Sequence, residues 1–500
     1  MRKAFLTKAF GPAALAVALM AGVAPGAAQT PRTDIVVGMV LEPPNLDPTA
    51  GAAAAIDEVV YANVFEGLTR IVQDGSVLPA LAASWDISDD GLAYTFHLRE
   101  GVTFHDGSAF DADDVKFSLD RARADDSTNA QKALFAAIAS VDVLDPATVK
   151  VTLSHPEGNF LFNMGWGDAV MVAPETAADN ATKPVGTGPF KFVDWVKGDH
   201  VELAGNPSYW GEPVGLDKAT FKFISDPTAA FAAMMAEDVD AFPNFPAPET
   251  LAQFEADPRF SVVIGSTEGE TILAMNNGRK PFDDIKVRQA FSHAIDRQAV
   301  IDGAMFGYGT PIGSHFAPHH PAYVDLTGAY PYDPDKAKAL LKEAGYGDGL
   351  TVSLKLPPPA YARRGGEIIA EQLKAVGVTA DITNLEWAQW LAEPFKAKDF
   401  DLTIVSHTEP MDIGIYARDD YYFDYHSDGF KAIMQELNDT TDPDKRNALL
   451  GDAQKKITED AVNVFLFELA KSGVWNAKLK GLWANSPVQA NDLTGVYWEE

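Results

Sequence analysis

The chain has 500 residues, 46% of them hydrophobic and 22% charged, which suffices for two or three domains with their own cores and excludes disorder as the dominant state. Lysine and arginine number 40 against 71 aspartates and glutamates, a formal net charge of -31 that repels nucleic acid and anionic lipid at long range. There are no cysteines, so disulfides, thiol nucleophiles and thiolate metal sites are excluded, and an oxidising compartment holds no risk of misoxidation.

The first residues read as a secretory leader. Arg2, Lys3 and Lys8 form a positive region, Phe10 to Val23 is short and apolar, and Gly26-Ala27-Ala28 supplies small residues for cleavage after Ala28. No unbroken apolar run reaches the length of about 20 residues that a spanning helix needs. The next segment, Asp34 to Val40, is almost continuously apolar and reads as a buried strand. Three prolines within Pro43–Pro48 exclude helix and ladder there, leaving a rigid loop at a strand end. Asp57 to Leu68 is predicted helical.

A β-rich stretch follows. Tyr94 to Arg99 alternates apolar and polar residues, Glu100-Gly101 and Asp106-Gly107 supply turns, and Asp142 to Leu153 reads as strand–turn–strand about Asp145-Pro146. Asp111 is placed to cap a helix running to Arg123. Period-two alternation recurs at Val201/Leu203 and Phe221/Phe223, Phe231 to Glu237 reads as helix, and Thr271 to Asn276 as a short apolar strand. From there helix and strand alternate. Val287 to Phe306 carries a helical pattern, Asp333-Pro334 opens a helix that Gly345 closes, and Val352, Leu354 and Leu356 mark a strand. The helix Gly366–Val376 precedes strands at Val378–Ile382 and Phe400–Val405, two further helices near Gly429–Leu437 and Pro443–Glu459, and a last strand at Val462–Leu466. This alternation implies sheets covered by helices on both faces, with a β-rich insertion between two α/β regions.

Several blocks together carry a family signature. They are Leu41 to Pro48 with Val64-Phe-Glu-Gly-Leu68; Pro79 to Trp85 with Tyr94 to Gly107 and Ala112 to Ser118; and Gly186 to Phe190 with Asn206 to Trp210. Met275-Asn-Asn277 with Val287 to Phe291, and Tyr332 to Ala337 with Gly345-Tyr346, complete the set. The chain resembles the family-5 extracytoplasmic solute-binding proteins, which include dipeptide-, oligopeptide-, nickel- and glutathione-binding members. The resemblance runs from about Asp34 to about Trp483. It implies an α/β fold of the periplasmic-binding-protein type II kind, two α/β lobes with a hinge and an inserted β-rich subdomain. The expected boundaries are 1–28 leader, 29–270 first lobe with the insertion at about 55–180, 271–470 second lobe, and 471–500 returning to the first. It also implies a periplasmic monomer without cofactor that delivers a small-molecule ligand to an ABC permease in the inner membrane.

The resemblance points to an acid after the strand Phe400–Val405 as the partner of a ligand amino group. Here Asp412 stands nearest that position and Glu409 is a second acid in the same loop. Arg363 and Arg364, beside Pro357-Pro-Pro359 and just before a helix, suit a ligand carboxylate. Trp387, Trp390, Trp166 and Tyr416 are aromatic candidates for the cleft lining, each weighed against core packing. Glu42 and Asn45 lie at the end of the first strand, where α/β folds bind ligands, and a structural turn is the competing reading. His315, His319 and His320 lie among Pro318 and Pro321 and read as polar loop histidines rather than metal ligands. The favoured ligand is a short peptide or a small amino-group-bearing solute; an opine, an oligosaccharide or a metal chelate is the alternative. A secreted hydrolase is the runner-up class, but GxSxG, HExxH and GxxxxGK(S/T) spacings are all missing.

Overall fold

The first strand, Asp34–Met39, is apolar on both faces because it lies inside a sheet. It pairs in parallel with Lys218–Phe223 on one side and Ala241–Phe242 on the other. The computed structural model describes residues 1, 32–51, 53–409, 412–440 and 442–500. The leader and its cleavage point after Ala28 lie, but for Met1, outside the described residues.

Two large sheets organise the chain. The seven-stranded sheet runs in the order Phe260–Gly265, Lys471–Asn476, Ala241–Phe242, Asp34–Met39, Lys218–Phe223, His200–Gly205, Phe190–Val196. The six-stranded sheet runs Thr310–Pro311, Asn463–Glu468, Glu270–Met275, Leu402–His407, Leu350–Leu356, Val378–Asn384. A four-stranded antiparallel sheet (Ala82–Ile87, Ala93–Leu98, Thr148–Leu153, Ile138–Asp145) carries the helix Ala112–Arg123 and its own core.

Strand parity sorts the second large sheet into two layers. Leu273, Met275 and Ile404 face a core shared with the helices Ile285–Ala294, Arg297–Met305, Pro334–Glu343 and Ala360–Ala375. Ile272, Ala274 and Val405 face the opposite layer, which is rich in rings: Tyr416, Tyr421, Tyr422, Phe423 and Phe430. Aspartates cap half of the described α-helices. Asp111 forms a capping box with Asp114, and Asp226, Asp333 and Asp442 each cap a helix whose first turn carries a proline.

Three predicted elements differ in extent. The helix expected over Asp57 to Leu68 is Ala54–Val60, because Tyr61 turns extended and Ala62 takes a φ of 57°. The pattern over Val287 to Phe306 is two helices, since Ile295 is extended and Asp296 caps the second. The helix expected from Gly366 begins at Ala360, which places Arg363 and Arg364 inside its first turns. Among the described residues no helix is long and apolar enough to cross a membrane.

One buried acid pair stands out beneath the helix Ala54–Val60. Asp57 Oδ1 and Asp168 Oδ1 are buried without hydrogen-bond partners. Burial pushes the Asp168 carboxyl up to about 7, and burial together with the neighbouring Asp168 charge raises Asp57 well above the usual range. Carboxyls whose native pKa lies above the unfolded value stabilise the fold below the unfolded range, and that contribution is lost as pH rises through the native value. The unfolding free energy from urea titrations is therefore expected to fall between about pH 4 and pH 7. Asp168→Asn is expected to flatten that slope while leaving the circular dichroism spectrum unchanged.

Candidate functional site

The chain passes between the two large sheets in two short, adjacent crossings. Residues 266–269 lead from Phe260–Gly265 into Glu270–Met275, and residues 469–470 lead from Asn463–Glu468 into Lys471–Asn476. The crossings are tied together: Leu469 N donates to Gly269 O at 2.7 Å, Thr267 N to Glu468 Oε1 at 3.2 Å, and Thr267 Oγ1 to Leu469 O. Small residues make this possible. A Cβ on Gly265 would lie 1.8 Å from the carbonyl oxygen of Ala484, and one on Gly269 would press on Leu469, Ser406 and Thr267.

A cavity of about 460 Å³ sits on these crossings, with Thr267, Glu268, Leu469 and Ala470 in its lining. The seven-stranded side contributes Glu58, Asn244, Phe245 and Ser472; the six-stranded side contributes Met305, Pro359, Tyr361 and Thr408; the C-terminal segment adds Ser486 and Gln489. The volume lies in the range of about 300–1,000 Å³ typical of small-ligand sites. Polar and ionic contacts span the two sides at its edges: Gln489 Nε2 donates to Thr408 O at 3.2 Å, and Arg364 Nη1 lies 3.6 Å from Glu249 Oε2, beside the lining residue Pro248.

Glu58 and Glu268 are the only charged side chains among the described lining residues. Burial raises the Glu58 carboxyl above its ordinary value; Lys471 and a 3.5 Å contact from Asn244 Nδ2 oppose that rise. Lys471 is itself buried, brought down to about 8 by loss of solvent, and its ammonium donates to Trp483 O at 2.9 Å. Glu268 accepts from His319 Nε2 at 2.6 Å, which raises the imidazole. Tyr361, pushed up to about 12 by burial, accepts from Ser406 N. The arrangement is a largely apolar chamber with two carboxylates, suited to a cationic group flanked by neutral polar atoms.

The residues expected to hold the ligand are placed elsewhere: none of Asp412, Glu409, Arg363, Arg364, Trp387, Trp390, Tyr416, Glu42, Asn45 and Trp166 lines this cavity. Asp412 accepts from His315 Nε2 at 2.7 Å, with His407 Nδ1 at 3.4 Å from its other oxygen. Glu409 is exposed, next to the lining residue Thr408. Arg363 donates to Leu385 O and Glu386, and Arg364 lies over the Phe306 ring as well as near Glu249. Trp390 and Tyr416 belong to the ring-rich core, Trp390 donating to Thr403 Oγ1, while Trp387 is 42% exposed and meets Trp390 edge-on. Trp166 is buried in the core of the four-stranded region and hydrogen-bonds Asp168. Glu42 accepts from Trp195 Nε1 and Gly198 N, and Asn45 from Asp47 N, so both are turn-forming. The loop histidines are not uniformly exposed either: His315 is buried and His320 stacks on Phe316 at 4.2 Å.

Sequence reading missed Glu58, Asn244, Glu268 and Tyr361. The signal for Glu268 was present in Gly265-Ser-Thr-Glu-Gly269, a small polar run between two apolar strands that belong to different sheets.

Two α/β sheets joined by paired crossings, with a ligand-sized cavity on the crossings, define a type II periplasmic binding protein. The chain belongs to the bacterial extracellular solute-binding proteins, family 5, whose middle-region model matches residues 76–432. The glutathione-binding protein GsiB of Salmonella typhimurium is 35% identical over 72% of this chain and 71% of its own length. The di/tripeptide-binding protein 1 of Pseudomonas aeruginosa is 30% identical over 92% of each. The periplasmic binding protein DppA of Helicobacter pylori, solved with the peptide STSA, superposes with a TM-score of 0.79 at 27% identity, covering 94% of this chain and 99% of its own. The family is one of extracytoplasmic substrate-binding components of ABC importers rather than of enzymes.

Gly265→Ala tests the crossing geometry. Because the obstructing atom is a backbone oxygen, the substitution is expected to destabilise the fold by about 1–3 kcal/mol, measured by urea unfolding.

Proposed function

We propose that this protein captures a short peptide or a small amino-group-bearing solute in the cavity and closes on it by rotation about the two crossings. We assign 29–270 and 471–500 to one lobe, 271–470 to the other and about 55–180 to the insertion; the strand order of the sheets supports this division. The loaded, closed form is what the partner permease recognises. A ligand drives closure only through its higher affinity for the closed form, and a solute touching residues of both lobes has that property. The leader is removed after Ala28 and the mature chain acts as a periplasmic monomer.

The observation that carries the reading is the charge of the lining: Glu58 and Glu268 stand on the chamber wall without a basic lining residue to neutralise them there. An ammonium group supplies the missing charge. A ligand carboxylate is then held by neutral donors such as Ser472, Ser486, Asn244 and Gln489, not by Arg363 or Arg364. The named relatives that take glutathione and di- or tripeptides fit this ligand class.

Isothermal titration with a panel of di- and tripeptides tests the proposal. Free peptides are expected to bind and their N-acetylated forms to lose most of the affinity. Glu268→Gln is expected to weaken binding by about 10-fold or more, the loss of a charge-assisted hydrogen bond. Binding that survives N-acetylation, or a response only to sugars or metal chelates, overturns the ligand class while leaving the family membership intact.

A further inference from the structure

A buried polar cluster in the six-stranded lobe is separate from the cavity lining. It comes from four places in the chain: His315 in a loop, Glu270 and His407 on neighbouring strands, and Asp412 at the start of the turn Asp412–Ala417. One side-chain nitrogen or oxygen from each of His315, His407 and Asp412 lies within 4.8 Å of the others. We infer that His315, His407 and Asp412, completed by Glu270, form a binding site for a divalent transition-metal ion.

Glu270 is the second, independent observation. It sits directly opposite His407 in the antiparallel register, so both side chains project from the same face of the sheet. That face also bears Ile272, Ala274 and Val405 and looks into the ring-rich core containing Tyr416. Glu270 is 3% exposed, and its Oε2 is buried without a hydrogen-bond partner. A lone carboxylate oxygen in such surroundings is costly unless it is protonated or neutralised by a cation.

The outer partners are those of a ligating pair of imidazoles. His315 Nδ1 lies 3.2 Å from the Tyr416 hydroxyl, which also accepts from Asn463 Nδ2, and His407 Nε2 lies 3.1 Å from the Tyr422 hydroxyl. Each ring is thus held by its far nitrogen, with the near nitrogen turned to Asp412. Metal–ligand bonds of about 2.0–2.2 Å require ligand atoms to stand further apart than hydrogen-bonded ones. The 2.7 Å separation of His315 Nε2 and Asp412 Oδ1 therefore opens slightly as the ion replaces their shared proton, and that proton and the one on the Glu270 carboxyl both pass to solvent. Two neutral imidazoles, two carboxylates and a divalent ion sum to zero charge, the condition for burial. Mixed imidazole and carboxylate donors favour zinc, nickel or cobalt over magnesium or calcium. Asp412, whose side chain keeps 15% exposure, is the way in. The bound ion would fasten the His315 loop and the Asp412 turn to the two strands behind the cavity.

The test uses tag-free full-length protein stripped with chelator and dialysed against zinc or cobalt alone, with no solute present. Elemental analysis is expected to show one ion retained per chain, cobalt to give a visible ligand-field spectrum, and the melting temperature to rise. His407→Gln is expected to abolish retention. Glu270→Gln, which preserves shape and suits a chain in which His407→Gln fails to fold, is expected to weaken it at least 10-fold. His97→Gln, exposed on the four-stranded sheet far from the cluster, is expected to leave it unchanged. No retained ion in the wild type, retention that survives Glu270→Gln and His407→Gln, or loss in His97→Gln would overturn the assignment. None of these readouts depends on the solute, so they fail independently of the peptide reading.

Discussion

The strand Glu270–Met275 is paired antiparallel on both sides, with Leu402–His407 and with Asn463–Glu468, and this double pairing sets the rest of the arrangement. Because one neighbour is the strand from which the chain leaves the sheet, the entering and leaving crossings lie side by side. Their mutual hydrogen bonds, Leu469 to Gly269 and Thr267 to Glu468 and Leu469, then need no further support. These two short connections carry the chain between the two sheets, and the proposed closure rests on them. The same pairing brings Glu270, His407 and Glu468 into one row across the sheet, placing acids and imidazole at the edge of an otherwise apolar layer.

Electrostatics follows from that placement rather than from the overall acidity of the chain. Most of its carboxylates are solvated and screened, and their pairs with lysine contribute little. Glu58 and Glu268 differ because they stand where water is displaced. The nearest compensation is internal: Lys471 faces Glu58 but gives its hydrogen bond to Trp483, and His319 serves Glu268 from behind. The face toward the cavity is left with acceptors, and the proposed cationic ligand group rests on them. Behind the wall, Asp412 is engaged by two imidazoles, those of His315 and His407.

Local signals were legible wherever the chemistry is local. Asp111 before Ala112-Asp-Asp114, Asp333-Pro334 and Asp442-Pro443 are side chains bonding backbone two or three residues on, and the helices begin at those points. Alternation at Tyr94 to Leu98 and the apolar run from Asp34 were read as strands for the same reason. Helix ends without such a marker were misjudged: Ala62 in a left-handed conformation and Ile295 in an extended one break patterns whose apolar spacing continues through them. The arginines after Pro359 were placed just before a helix read from Gly366, whereas the helix begins at Ala360 and buries both Gly365 and Gly366, where a Cβ on Gly366 would meet the Leu356 side chain.

The family blocks, the leader pattern, the capped helices and the apolar strands were determined by the sequence itself, since each depends on residues a few positions apart or on order along the chain. Which side chains face the cavity was decided only by the tertiary structure. Glu58, Asn244, Glu268 and Tyr361 are separated by up to hundreds of positions and meet because two sheets are joined at one pair of crossings. Asp412 was read as a ligand contact from its position in the chain, and only the tertiary structure brings His315 and His407 against its carboxylate. Long-range register and desolvation set those directions, and neither is encoded in local spacing.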